Sequence, residues 1–148
     1  MLGWVIAAHG CLAHDTLALL EKQIGPLAHC RAVEYLPGQS TNMLSRMMCD
    51  ALHEVDGGDG VIFLTDTIGA APYRAASLLS HKHEHCEVIA GFNVALLAQM
   101  LALRDTHSSA AFRDTIVASS DDTVTSLWHQ QQKNPPFRLI LPDWLDAG

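Results

Sequence analysis

The stretch from Gly60 to Pro72, GVIFLTDTIGAAP, decides the fold of this chain. Val61, Ile62, Phe63 and Leu64 follow one another with no polar residue between them. A strand that is apolar on both sides is covered on both faces, as in a parallel sheet held between two helical layers. Pro72 comes after a short loop and suits the first turn of a helix, where its missing N–H is not needed. The segment therefore reads strand, loop, helix, with the strand inside a sheet.

Working outward, the same unit recurs. Leu2 to Ala8 reads as a first strand, and Ala13, Leu17, Leu20 and Ile24 then fall at helical spacing until Gly25-Pro26 stops the helix. His29 to Tyr35, HCRAVEY, predicts a second strand and Pro37-Gly38 a turn. Leu44, Met47, Met48, Ala51 and Leu52 mark one face of a second helix, closed by Asp56-Gly57-Gly58. The two methionines read as gap-fillers of a core. Cys86 to Gly91, CEVIAG, predicts a fourth strand, followed by a helix carrying Val94, Leu97, Ala98 and Leu101. Four such units in series predict an α/β fold, a doubly wound and mostly parallel sheet with right-handed crossovers and helices on both faces.

Past that point the pattern changes. Phe112 with Ile116, and Val124 with Leu127 and Trp128, predict two further helical pieces separated near Ser119 to Asp122. The tail from Pro135 to Leu145, PPFRLILPDWL, reads as an extended segment between prolines, an edge strand or a strand lent to a neighbouring subunit. Residues 1–148 thus read as a single domain, with 133–148 as its extended tail.

Composition narrows the function. With 148 residues and 49% hydrophobic content the chain can bury a core without metal or disulfide staples. Cys11, Cys30, Cys49 and Cys86 form no C-x-x-C pair, so they read as reduced, mostly buried thiols. A formal charge of −7 with only 9 Lys and Arg argues against nucleic acid, which needs a basic face. No apolar run reaches a membrane span and Met1 to Trp4 lacks the positive start of a signal peptide, so the expected location is the cytoplasm.

Open α/β sheets bind ligands at the carboxyl ends of strands, where the strand order reverses. In a flavodoxin-like order the first and third strands are neighbours there, and they end in His9, from AAHG, and Asp66, from LTDTIGAAP. A carboxylate that accepts from one ring nitrogen fixes the imidazole tautomer and leaves the other nitrogen as nucleophile or base. Gly10 and Gly69 allow close approach of backbone to an anion at two helix starts, which suits a phosphoryl group. Taken alone, a histidine ending an apolar strand is more often a hydrogen-bonded structural residue; the pairing with Asp66 shifts the reading. Cys11 offers an alternative Cys-His nucleophile. His14 reads as a solvated residue on the first helix, and Asn93 as a helix N-cap. The run His81-Lys82-His83-Glu84-His85-Cys86 lacks a recognised ligand spacing and reads as adventitious metal affinity, so neither a metal nor an organic cofactor is expected.

These residues carry a resemblance. HG after the first strand, GVIFLTDTIGAAP in the third unit and VIAGFNVALL in the fourth are similar to the mannose-type IIA component of the bacterial phosphoenolpyruvate:sugar phosphotransferase system, over roughly residues 1 to 130. Among its free-standing members the chain resembles the galactosamine-specific ones. The resemblance implies a homodimer of flavodoxin-like subunits that exchange a C-terminal antiparallel edge strand. It implies a histidine phosphorylated by phospho-HPr that passes the group to a IIB partner, with only indirect membrane association through IIC and IID. His9 matches the phosphorylated histidine and Asp66 the aspartate that orients it, while Gly10, Thr67, Gly69, Ala70 and Ala71 match the loops around the phosphoryl group.

Two departures stand out. The family usually reads Gly-Gly-Ser/Thr-Pro where this chain has Gly69-Ala70-Ala71-Pro72, so a hydroxyl at position 71 and a permissive glycine at 70 are missing. The family's Asn-Leu-Pro becomes Asn93-Val94-Ala95. A degenerate, non-catalytic binding or regulatory module of the same fold is therefore a competing reading. The phosphoryl-relay subunit of dihydroxyacetone kinases is a third, disfavoured by HG in place of HS.

Overall fold

The computed structural model describes residues 1–133. Four strands, β1 (Gly3–His9), β2 (Cys30–Tyr35), β3 (Val61–Thr65) and β4 (Cys86–Ala90), form one parallel sheet in the order β2-β1-β3-β4. Six α-helices follow or connect them: α1 (Leu12–Ile24), α2 (Thr41–Val55), α3 (Ala71–Lys82), α4 (Val94–Met100), α5 (Ser109–Ala118) and α6 (Leu127–Lys133). The order is the doubly wound one, with β1 and β3 adjacent and the chain winding outward from both. The expected tail strand at Pro135 to Leu145 lies outside the described residues.

The two faces of the central strands separate two cores. Leu2, Trp4, Ile6 and Ala8 point to one side, where α1, α4 and α5 supply Leu20, Leu97 and Phe112. Val5 and Ala7 point to the other, where α2 and α3 supply Leu44, Met48, Leu52 and Ala76. The unbroken apolar run of β3 is accordingly buried along its whole length. Burial of a side chain such as Phe63 is worth about 1.5–3 kcal/mol, so the run anchors the middle of the sheet.

Four expectations need adjustment. Ile24 shares the spacing of the α1 apolar stripe but is 55% exposed, at the last residue of the helix. Leu101 does not extend α4; a 3-10 turn, Leu101–Asp105, takes over. The segment Ser119 to Asp122, expected as a break, contains another, Ser120–Asp122. α6 exists, yet none of its residues is buried and Leu127 and Trp128 are exposed.

Arg104 contradicts the usual surface placing of arginine. It is 4% exposed and its guanidinium donates to the carbonyls of Leu2, Ala28 and His29, at 3.0, 2.6 and 2.9 Å, with its charge 5.2 Å from the centre of the Trp4 ring. These carbonyls cluster where β1 and β2 begin, so Arg104 closes the amino end of the sheet. The carboxyl end is left for chemistry.

Candidate functional site

Register brings His9 and Asp66 together. Ala7 pairs with Thr65 across β1 and β3, so each strand runs out of partners within two residues and both side chains meet above the same edge. The His9 Nδ1 lies 2.8 Å from Asp66 Oδ2, and the His9 backbone N–H donates to that same oxygen at 3.2 Å. A carboxylate can only accept, so Nδ1 carries the proton, and in the neutral ring Nε2 keeps a free lone pair. The His9 side chain is 49% exposed and that of Asp66 only 14%, which puts the acceptor below and the imidazole at the surface. Burial pushes the Asp66 carboxyl up, but the bonds from His9 outweigh it and hold the group below its ordinary value. Among the described residues its other oxygen, Oδ1, is buried without a partner.

The loops beside this pair have their own logic. Gly10 and Gly69 both adopt left-handed backbone, with φ of 58° and 78°, which the turns leaving β1 and β3 require and glycine supplies without strain. The Gly10 N–H donates to the Tyr35 carbonyl at 2.8 Å, and the Ala70 N–H to the Thr67 carbonyl at 3.3 Å. Those two groups are spoken for. The helix starts are not: Cys11 and Ala70 occupy the N-caps of α1 and α3 without a side-chain capping bond. By contrast Ser40, Asn93 and Ser108 cap α2, α4 and α5 with their side chains. The first intrahelical donors are Asp15 in α1 and Arg74 in α3, so the earlier N–H groups, such as those of Leu12, Ala13, Ala71 and Tyr73, have no helical acceptor. Pro72, in the same turn, has no N–H to leave unpaired. Thr67 and Gly69 are exposed beside them, and Ala71 opens α3.

Other expected positions fall elsewhere. Cys11 is exposed, unlike the part-buried Cys30, Cys49 and Cys86, and all four thiols are free. Burial pushes the Cys30 thiol up to about 11. His14 is exposed but not merely solvated, since its Nδ1 lies 2.8 Å from the Glu34 carboxylate on β2. Asn93 is the N-cap expected, accepting from the Leu96 N–H at 2.9 Å. Among the described residues no three His, Cys, Asp or Glu side chains gather as a metal cage. In the His81 to Cys86 run, His83 instead donates from Nδ1 to the Leu79 carbonyl. Sequence reading passed over Tyr35, whose ring centre lies 5.8 Å from that of His9. The rule that singled out His9 and Asp66, a polar residue ending a strand at the carboxyl edge, points to Tyr35 as well.

Residues 3–117 match the family model described as the PTS system fructose IIA component, of the mannose type. The chain belongs to the mannose/fructose family of phosphotransferase-system IIA components. An Escherichia coli protein, YadI, provisionally named a phosphotransferase enzyme IIA component, is 61% identical over 139 residues, covering 94% of this chain and 95% of that protein. The mannose-specific EIIAB component of Escherichia coli is 34% identical over 119 residues, covering 80% of this IIA chain but 36% of the larger protein. Two solved structures share the fold. The phosphotransferase component EIIA of Streptococcus agalactiae superposes with a TM-score of 0.78 at 21% identity, covering 87% of this chain and 99% of that one. The IIA protein associated with the fucose utilization operon of Streptococcus pneumoniae gives 0.76 at 24%, covering 86% and 94%. IIA components of this family are phosphotransferases that carry a phosphoryl group within a sugar phosphotransferase system, from HPr to a IIB component. Among the described residues of this IIA chain, no helix is long and apolar enough to cross a membrane.

Proposed function

We propose that this IIA chain carries its phosphoryl group on His9 Nε2. The observation that supports this most directly is the double donation of His9, ring and backbone, to a single Asp66 oxygen. In the transfer step the Nε2 lone pair attacks phosphorus of phospho-HPr, an N–P bond forms, and the bond to the donor atom breaks with its electron pair staying on the donor. The imidazole becomes cationic while Nδ1 keeps its proton, and the Asp66 carboxylate beside it offsets that charge. The uncapped first turns of α1 and α3 direct N–H groups toward the transferred oxygens, with Gly10, Thr67, Gly69, Ala70 and Ala71 shaping the loops around them. Transfer onward to a IIB component reverses the same step.

The finer parts of the reading follow the family. The chain 1–148 acts as one cytoplasmic unit, a homodimer through its C-terminal tail, and meets the membrane only through IIC and IID partners. No metal or organic cofactor enters the step as written. The competing reading as a binding module rests on Ala70 and Ala71, and one experiment separates the two. Incubation with phosphoenolpyruvate, enzyme I and HPr is expected to add one acid-labile phosphoryl group per chain, and His9→Ala to abolish it. Labelling that persists in His9→Ala removes His9 from the mechanism. A wild type that stays unlabelled beside a competent IIA control supports the binding module instead.

A further inference from the structure

We infer that Tyr35 is a positioning residue for His9, holding the imidazole through its aromatic ring; the inference rests on the proposed role of His9. An imidazole bound at Nδ1 alone can still swing about that bond, and the His9 side chain is half exposed. Its second contact is the Tyr35 ring, 5.8 Å between centres and 65° between planes, an edge-to-face arrangement. Three features fix Tyr35 in place. It is the last residue of β2 and pairs with His9 in the ladder. Its carbonyl accepts from Gly10 N–H, so the turn that follows His9 is tied to the same residue. Its ring packs against the core beneath α2 and α3. His9 is thereby gripped from two strands, by Asp66 of the β3 end and Tyr35 of the β2 end, with Nε2 the ring nitrogen left unengaged by Asp66.

The aromatic ring, not the phenol hydroxyl, is the active part. Tyr35→Phe is therefore expected to stay within about twofold of wild type, while Tyr35→Leu loses about two- to tenfold in kcat for phosphorylation, with KM for phospho-HPr unchanged.

The test compares wild type, Tyr35→Phe and Tyr35→Leu by rapid-quench phosphorylation and by nitrogen NMR of the imidazole in the unphosphorylated protein. The NMR measurement uses no phosphoryl donor, so it reads this inference even where the proposed function fails. The expected result is a His9 Nδ1–H signal kept in the phenylalanine variant and exchange-broadened in the leucine variant. Wild-type kcat and an unchanged His9 signal in folded Tyr35→Leu overturn the inference, as does a phenylalanine variant as slow as the leucine one. Should Tyr35→Leu not fold, Tyr35→Met makes the same comparison.

Discussion

Exchanging Asp66 for asparagine changes the charge of the site while, by the geometry, leaving its hydrogen bonds in place. Two His9 donors converge on Asp66 Oδ2, and one of them is a backbone N–H that can never accept. The amide oxygen of Asp66→Asn must therefore occupy the Oδ2 position, its NH2 falling where Oδ1 is buried with no partner among the described residues. Nδ1 stays protonated and Nε2 stays nucleophilic; only the charge is lost. A hydrogen bond to a charged group is worth about 1.5–3 kcal/mol and a neutral one about 0.5–1.5, so the cationic ring of the transition state loses about 1–1.5 kcal/mol. That is a rate about five- to thirteenfold lower, and the partial exposure of His9 favours the lower figure. Rapid-quench phosphorylation by phospho-HPr reads it, with the end-point stoichiometry unchanged. A variant as fast as wild type refutes the role of the charge. A loss near ten-thousandfold, as when the aspartate of a Ser-His-Asp triad becomes asparagine, shows that the amide has flipped and refutes the two-donor argument.

The same substitution has a signature in acid. Because the folded state holds the Asp66 carboxyl below its ordinary value of 3.8, its contribution to stability is complete above that value and lost as pH falls through the lower one. Melting temperatures of wild type are expected to drop more steeply than those of Asp66→Asn below roughly pH 4. Parallel curves sink this.

Other expectations are simpler to state. Ala71→Ser places a hydroxyl on the first residue of α3, and one bond to a charged oxygen accelerates transfer by up to about a hundredfold if the site lacks only that donor. A wild type already fast, and not improved by the serine, shows that the backbone N–H groups suffice. Arg104→Met is expected to cost roughly 3 kcal/mol in urea denaturation by stranding carbonyls at the amino end of the sheet. It should leave the phosphorylation rate intact, since the site lies at the other end; a slowed but stable variant contradicts that separation.

What the sequence determined by itself was whatever depends on neighbours along the chain. The unbroken run Val61 to Leu64 marked a doubly covered strand, Pro72 a helix start and Asn93 a cap, because burial on both faces, a missing N–H and a capping carbonyl leave their marks on the local residue order. His9 and Asp66 were legible as the polar ends of two apolar strands, and the usual order of such sheets made them neighbours. Only the tertiary structure could decide which atoms meet. That His9 offers both its donors to one oxygen of Asp66 depends on the exact register of β1 and β3, a relation between residues 57 positions apart. Tyr35 came into view through the pairing of β1 with β2, and the commitment of Gly10 N–H to its carbonyl through the same pairing. Arg104 was illegible for the same physical reason. Its charge predicts the surface, and nothing near it in the chain announces that strand-start carbonyls, 75 to 102 residues away, converge on one point and need its donors.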